Sequence, residues 1–172
     1  MTPDRVIHLN PGELLTAASI AAMRQSVNRH AGTTNLKAGK QDVMTTEIVG
    51  TLGELAFAKY TNVMPDLTTH LRVGSFDATF RDLSVDVKST RNPDGDLYVD
   101  ARADKRADLY VLVHVDYCTC TIKGWMRSAD IPEGDGTRRI PQAALRDPAL
   151  LWHSRLADFV QSSTLRHTPT EA

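Results

Sequence analysis

Four side chains have the types and spacing to work on a phosphodiester: Glu54, Asp77, Asp86 and Lys88. Asp86 and Lys88 stand two residues apart in Leu83-Ser-Val-Asp-Val-Lys-Ser89. That segment reads as a strand, and side chains alternate along a strand, so the pair shares one face while Val85 and Val87 point into a core. A turn at Arg81-Asp82 would fold the Phe76–Phe80 segment back beside it, bringing Asp77 to a neighbouring strand position. Cleaving a phosphodiester needs an activated water and charge stabilisation on the phosphoryl oxygens. Mg²⁺ or Mn²⁺ supplies both, and Mg²⁺ is typically held by one or two carboxylates together with water and substrate phosphate. Asp77 and Asp86 would supply the carboxylates, and the Val87 carbonyl a further oxygen. Lys88 would orient or polarise the attacking water and offset the transition-state charge. Glu54 lies upstream in Gly53-Glu54-Leu55-Ala56, with Glu47 seven residues earlier on the same helical side. It could hold a second ion or a metal-bound water.

Several elements must position these groups. Asn10-Pro11-Gly12-Glu13 carries the signature of a capped helix start, predicting a helix over 11–28. From Arg24 to Gln41 no acidic residue occurs, and Arg24, Arg29, Lys37 and Lys40 read as a basic loop, either a solvated linker or a phosphate contact. Asp42 caps a second predicted helix over 43–60, whose Gly50 and Gly53 suggest close backbone approach. Strands are expected over 68–73, 76–80 and 83–89, and a short one over 97–99. A short helix is expected over 100–106. Leu109–Val115 is almost wholly apolar or β-branched, as a strand buried on both faces would be. A turn at Asp116-Tyr117 would pair it with 119–126. Gly134-Asp135-Gly136 reads as a loop, and 142–160 as a last helix broken near Pro148. The order predicts one α/β domain spanning the 172 residues, with a central mixed sheet flanked by helices.

The Glu54 helix, Asp77 and the Asp86-Val87-Lys88 triplet together resemble the PD-(D/E)XK nuclease superfamily, the restriction-endonuclease-like fold. The resemblance covers about Asp42 to Met126. The Gly50-Thr51-Leu52-Gly53-Glu54 and Ala107-Asp108-Leu109-Tyr110-Val111 segments are also similar to small nucleases of phages and prophages. It implies an αβββαβ core over about 42–126, with the 11–28 and 142–160 helices as additions. It implies that Asp77 and Asp86 are metal ligands, Lys88 the catalytic lysine and Glu54 the helix carboxylate of a Mg²⁺- or Mn²⁺-dependent deoxyribonuclease leaving a 5′-phosphate. Pro65-Asp66 spells the literal proline-aspartate of the family name, twenty residues before Asp86. Asp66 therefore stays open as the first acidic ligand, although the nine-residue spacing of Asp77 suits a tight hairpin better.

Ser89, Thr90 and Arg91 follow the lysine and could touch the phosphate beside the scissile bond, or simply close the strand. Arg138, Arg139, Arg146 and Arg155 make the C-terminal region locally basic and could line a DNA groove. His114, Cys118 and Cys120 lack a fourth ligand at usual zinc spacing. Net charge is -1, so no global basic field marks a passive DNA-coating protein. Hydrophobic content of 41% suits a soluble globular chain, and no apolar run is long enough for a membrane span. The absence of a signal-peptide pattern and the two cysteines, read as reduced thiols, point to the cytoplasm. The expected partner is DNA, with a homo-oligomer left open. The rival readings are a catalytically silent DNA- or protein-binding module, or the nuclease subunit of a larger complex.

Overall fold

The computed structural model describes residues 5–32, 42–69, 76–100, 107–134 and 136–153. Helix α1 spans Pro11–His30, so it continues past Asn28. Its capping box closes as the sequence suggests: the Asn10 side chain accepts from the Glu13 N–H at 2.9 Å, and Glu13 accepts from the Asn10 N–H at 2.7 Å. Two otherwise orphaned donors are thereby satisfied. Helix α2, Val43–Thr61, starts on Asp42, whose carboxylate accepts the Thr45 N–H, and ends on Asn62 in the left-handed region.

The strands are β1 (Val6–His8), β2 (Ala78–Phe80), β3 (Leu83–Thr90), β4 (Leu97–Asp100), β5 (Leu109–Asp116), β6 (Thr119–Arg127) and β7 (Thr137–Ile140), with a short helix α3 at Leu150–His153. Five strands form one sheet in the order β1-β6-β5-β3-β2, and β4 pairs with β7 in a separate ribbon. Within the sheet β3 and β5 are parallel and the other neighbours antiparallel. A parallel pair needs a crossover, and the chain from 91 to 108 provides it, with β4 inside it.

Strand alternation explains the layering. Val85 and Val87 of β3 and Val111, Val113 and Val115 of β5 point to one face, where they bury with Leu52, Phe57 and Tyr60 of α2. Tyr110 and Leu112 point to the other, where Leu97 and Val99 of β4 and Ile140 of β7 cover them. The central strand β5 is thus buried on both sides, as its composition requires. Among the described residues no helix is long and apolar enough to cross a membrane.

Several expectations need correcting. The helix over 142–160 is instead a 3₁₀ turn at Gln142–Ala144 followed by α3, because the chain first runs beside β6: Trp125 and Arg146 exchange backbone hydrogen bonds of 3.1 and 2.8 Å. Residues 154–160 lie outside the described part. So do 70–73 of the expected 68–73 strand and 101–106 of the expected 100–106 helix, while Asp100 ends β4. Strands β1 and β7 were not foreseen. Arg24 belongs to α1 and is buried, so it is no part of a basic loop.

The two helix glycines also part company. A Cβ on Gly53 would lie 1.9 Å from Ser89 Oγ and 3.1 Å from Ser89 Cβ, so α2 rests directly on β3 there. A Cβ on Gly50 meets nothing within 4 Å among the described residues. Gly50→Ala is therefore expected to stabilise by up to about 1 kcal/mol through helix propensity. Gly53→Ala is expected to destabilise by about 1–3 kcal/mol through overpacking. Thermal melting of the two variants should shift in opposite directions; equal shifts would refute the close approach at Gly53.

Candidate active site

The β2–β3 hairpin turns on Arg81 and Asp82, both in the left-handed region at φ 51° and 63°. Two successive positive φ values suit the tight turn that matches strand twist. The resulting register aligns Ala78 with Val85, and Asp77, the residue before β2, lies alongside Val85–Val87 of β3. Asp77 grips both neighbours of Asp86. Its N–H donates to the Val85 carbonyl at 3.0 Å, and its Oδ2 accepts the Val87 N–H at 2.7 Å. The backbone of β3 thus helps to orient the Asp77 carboxylate.

Lys88 lies on the same face as Asp86. Its Nζ is 2.7 Å from Asp86 Oδ1 and 2.9 Å from Oδ2. The side chains are 41% and 27% exposed, so the pair sits at the edge of the interior and is partly open to solvent. Burial pulls the Lys88 pKa down, but the charge and hydrogen bond of Asp86, then the charges of Asp77 and Tyr110, hold it above the ordinary lysine value. Lys88 is therefore a firmly protonated cation. Asp77, Asp86 and Lys88 form one electrostatic unit, and Asp86 and Lys88 occupy the sheet face shared with Tyr110 and Leu112.

Glu54 has a different setting. It projects from α2, the helix packed on the opposite sheet face, and Arg24 of α1 meets it at 2.9 Å. Arg24 and Glu54 are only 6% and 12% exposed. The same guanidinium donates to the carbonyls of Asp66 at 2.8 Å and Thr68 at 3.1 Å, tying down the segment after α2. Sequence reasoning missed Arg24 as the partner of Glu54. Its spacing from Ala17, Ile20 and Ala21, the buried positions of α1, was the available signal: a charge on the apolar face of a helix requires a buried partner. The carboxylate of Asp66 accepts the Thr68 N–H at 2.9 Å, organising its own turn.

The proposed nucleic-acid contacts separate similarly. Ser89 lies on the α2 face beneath Gly53, with its hydroxyl 3.5 Å from the Gly50 carbonyl. Thr90 accepts the Asn92 N–H at 3.1 Å, and Arg91 is exposed with its guanidinium 5.8 Å from the Tyr117 ring centroid. Arg138 is half-buried against Gly134 and donates to the Glu133 carbonyl at 2.9 Å. Arg139 is paired with Asp96, whose carboxyl it holds below the usual range. Arg146 joins Arg127 on Asp130, each at 2.9 Å. Arg139 and Arg146 are therefore paired with carboxylates within the fold, which sequence could not reveal for Arg139 because Asp96 is 43 residues away. Arg155 lies outside the described residues.

The donor set bears on a metal ion. Among the described residues no three His, Cys, Asp or Glu side chains converge on one point. Two hard carboxylates beside an open face nevertheless fit Mg²⁺, which keeps several waters and borrows oxygens from its substrate. Cys118 is exposed, Cys120 is buried in the helix-side core, and both are free thiols; burial pushes Cys120 up to about 12. No protein-family model, no curated protein and no solved structure matches the chain.

Proposed function

We propose that this chain is a Mg²⁺- or Mn²⁺-dependent deoxyribonuclease, with Asp77, Asp86 and Lys88 as its reactive centre. The observation that carries the reading is the meeting of two carboxylates and a lysine at the partly exposed hairpin of β2 and β3. Such a cluster is costly to assemble and is a functional-site candidate on physical grounds. The order of α2, the β2–β3 hairpin, a crossover and β5 parallel to β3 is compatible with a restriction-endonuclease-like αβββαβ core.

In this reading Asp77 and Asp86 hold the ion, with the Val87 carbonyl as a further oxygen. When bound, the ion supplies Lewis-acid charge to the phosphoryl oxygens and makes water a better nucleophile. Asp77 keeps its orientation through the Val87 N–H. Lys88 would donate hydrogen bonds and positive charge toward the phosphoryl group and the attacking water. Glu54, engaged by Arg24, acts on this centre by holding α2 and the 66–68 segment in place.

One observation favours a second reading. Asp86 and Lys88 neutralise each other, and Arg24 does the same for Glu54, as they would in a silent DNA- or protein-binding module or a subunit awaiting its complex. Purified protein is expected to cut labelled single-stranded, duplex or branched DNA with Mg²⁺ or Mn²⁺, and to stop on EDTA addition. Failure to cut any of these, together with no calorimetric uptake of either ion at millimolar concentration, would reject the nuclease.

A further inference from the structure

One end of the sheet carries an aromatic group that the fold does not use. Tyr117, in the turn between β5 and β6, is 77% exposed. Its backbone sits at φ 50°, a region that bulky residues rarely enter. The turn is held in place from outside, since the Leu9 N–H donates to the Cys118 carbonyl at 2.8 Å. A strained position occupied by a large exposed ring motivates a functional reading.

The surroundings indicate a ligand class. The Arg91 guanidinium lies 5.8 Å from the Tyr117 ring centroid, so a cation and a π-face are presented together. Arg91 follows Lys88 by three residues, roughly 10 Å along an extended chain. That is about three stacked nucleotide steps. Between them Lys88 and Thr90 share a face, and His114 of β5 aligns beside Thr90. The half-buried Lys88, Thr90 and His114 therefore run from the reactive centre toward the end of the sheet that carries Tyr117. Asp116 is exposed next to the ring and opposes a phosphate there.

We propose that Tyr117 and Arg91 form a stacking platform for an unpaired base, on a DNA strand whose backbone reaches Lys88. Bases inside a duplex have both faces covered by their neighbours, whereas an unpaired base offers a face to an aromatic ring. The substrate of the proposed nuclease is then single-stranded DNA or a single-stranded end. This inference rests on the nuclease reading for its substrate and on Tyr117 and Arg91 for its binding.

The two parts can be tested separately. Fluorescence anisotropy of a labelled oligonucleotide, single-stranded or annealed as a blunt duplex, is read in EDTA so that cleavage plays no part. The full chain is expected to prefer the single strand. Tyr117→Ala should weaken single-strand binding by about 5- to 100-fold, the range for losing one stacked base. Tyr117→Gly removes the ring while relieving the backbone, so it guards against misfolding and should show the same loss. Tyr117→Trp should retain binding, and Asp116→Asn should tighten it. Unchanged single-strand affinity in folded Tyr117→Gly, or a wild-type preference for duplex, overturns the platform. Cleavage in Mg²⁺ is then measured independently. Tyr117-dependent binding by a chain that cuts nothing keeps the platform and removes the nuclease; cleavage with Tyr117-independent binding does the reverse.

Discussion

Asp86→Asn and Lys88→Met are each expected to lower metal-dependent DNA cleavage by about 10²- to 10⁴-fold, the scale for losing a group that acts on the reacting phosphate. Asn keeps the shape of Asp86 but loses the charge that would hold a divalent cation. Met keeps most of the Lys88 stem and removes the ammonium that its neighbours hold protonated. Neither change should unfold the protein, because the pair is partly exposed and such ion pairs contribute about 0–1 kcal/mol. Asp77→Asn is the more informative third variant. The amide oxygen can still accept the Val87 N–H, so the local backbone keeps its bond while the charge disappears. Lys88→Arg should restore only part of the activity, since a planar guanidinium does not reproduce a compact point charge. Initial rates on labelled DNA, with thermal melting alongside, decide the matter. A wild-type rate in folded Asp86→Asn would reduce the cluster to a surface ion pair.

The parts of this site that sequence made legible are those governed by local rules. Arg81-Asp82 punctuates two alternating segments, and from that turn the return of Asp77 to the neighbourhood of Asp86 follows. Period-two alternation places Asp86 with Lys88 and opposite Val85 and Val87, and the structure has them so. Asn10 and Asp42 announce their helices because capping is a contact between near neighbours. What sequence hid depends on distant partners. Strand β1 has three residues, too few to show a period, and exists because β6 offers it an edge. Strand β7 shows in sequence only as a locally basic stretch until β4 is seen beside it. Glycine alone could not distinguish Gly50 from Gly53, since the distinction lies in Ser89, a residue of β3. The helix over 142–160 failed for the same reason: its first residues are drawn off by Trp125 on β6.

Glu54 offers the sharpest contrast between a role assigned by motif and one assigned by environment. Glu54→Ala is expected to destabilise the protein by about 3–5 kcal/mol, because it strands the Arg24 guanidinium in the interior without its counter-charge. For a chain of this size that corresponds to roughly 6–20 °C in Tm. Arg24→Met should cost a similar amount, since it uncovers Glu54 and releases the Asp66 and Thr68 carbonyls. The combined Arg24→Met and Glu54→Leu variant should be less damaging than the sum of the single changes, because the largest cost of each is the charge it leaves behind. Melting in EDTA isolates this from any metal contribution. A glutamate that serves chiefly as a metal ligand behaves in the opposite way: without the ion, Glu54→Ala would leave Tm unchanged or raise it, and only cleavage would suffer. That outcome would return Glu54 to the reactive centre beside Asp77 and Asp86. The destabilisation expected here would instead make it the group through which α1, α2 and the 66–68 segment are held as one body.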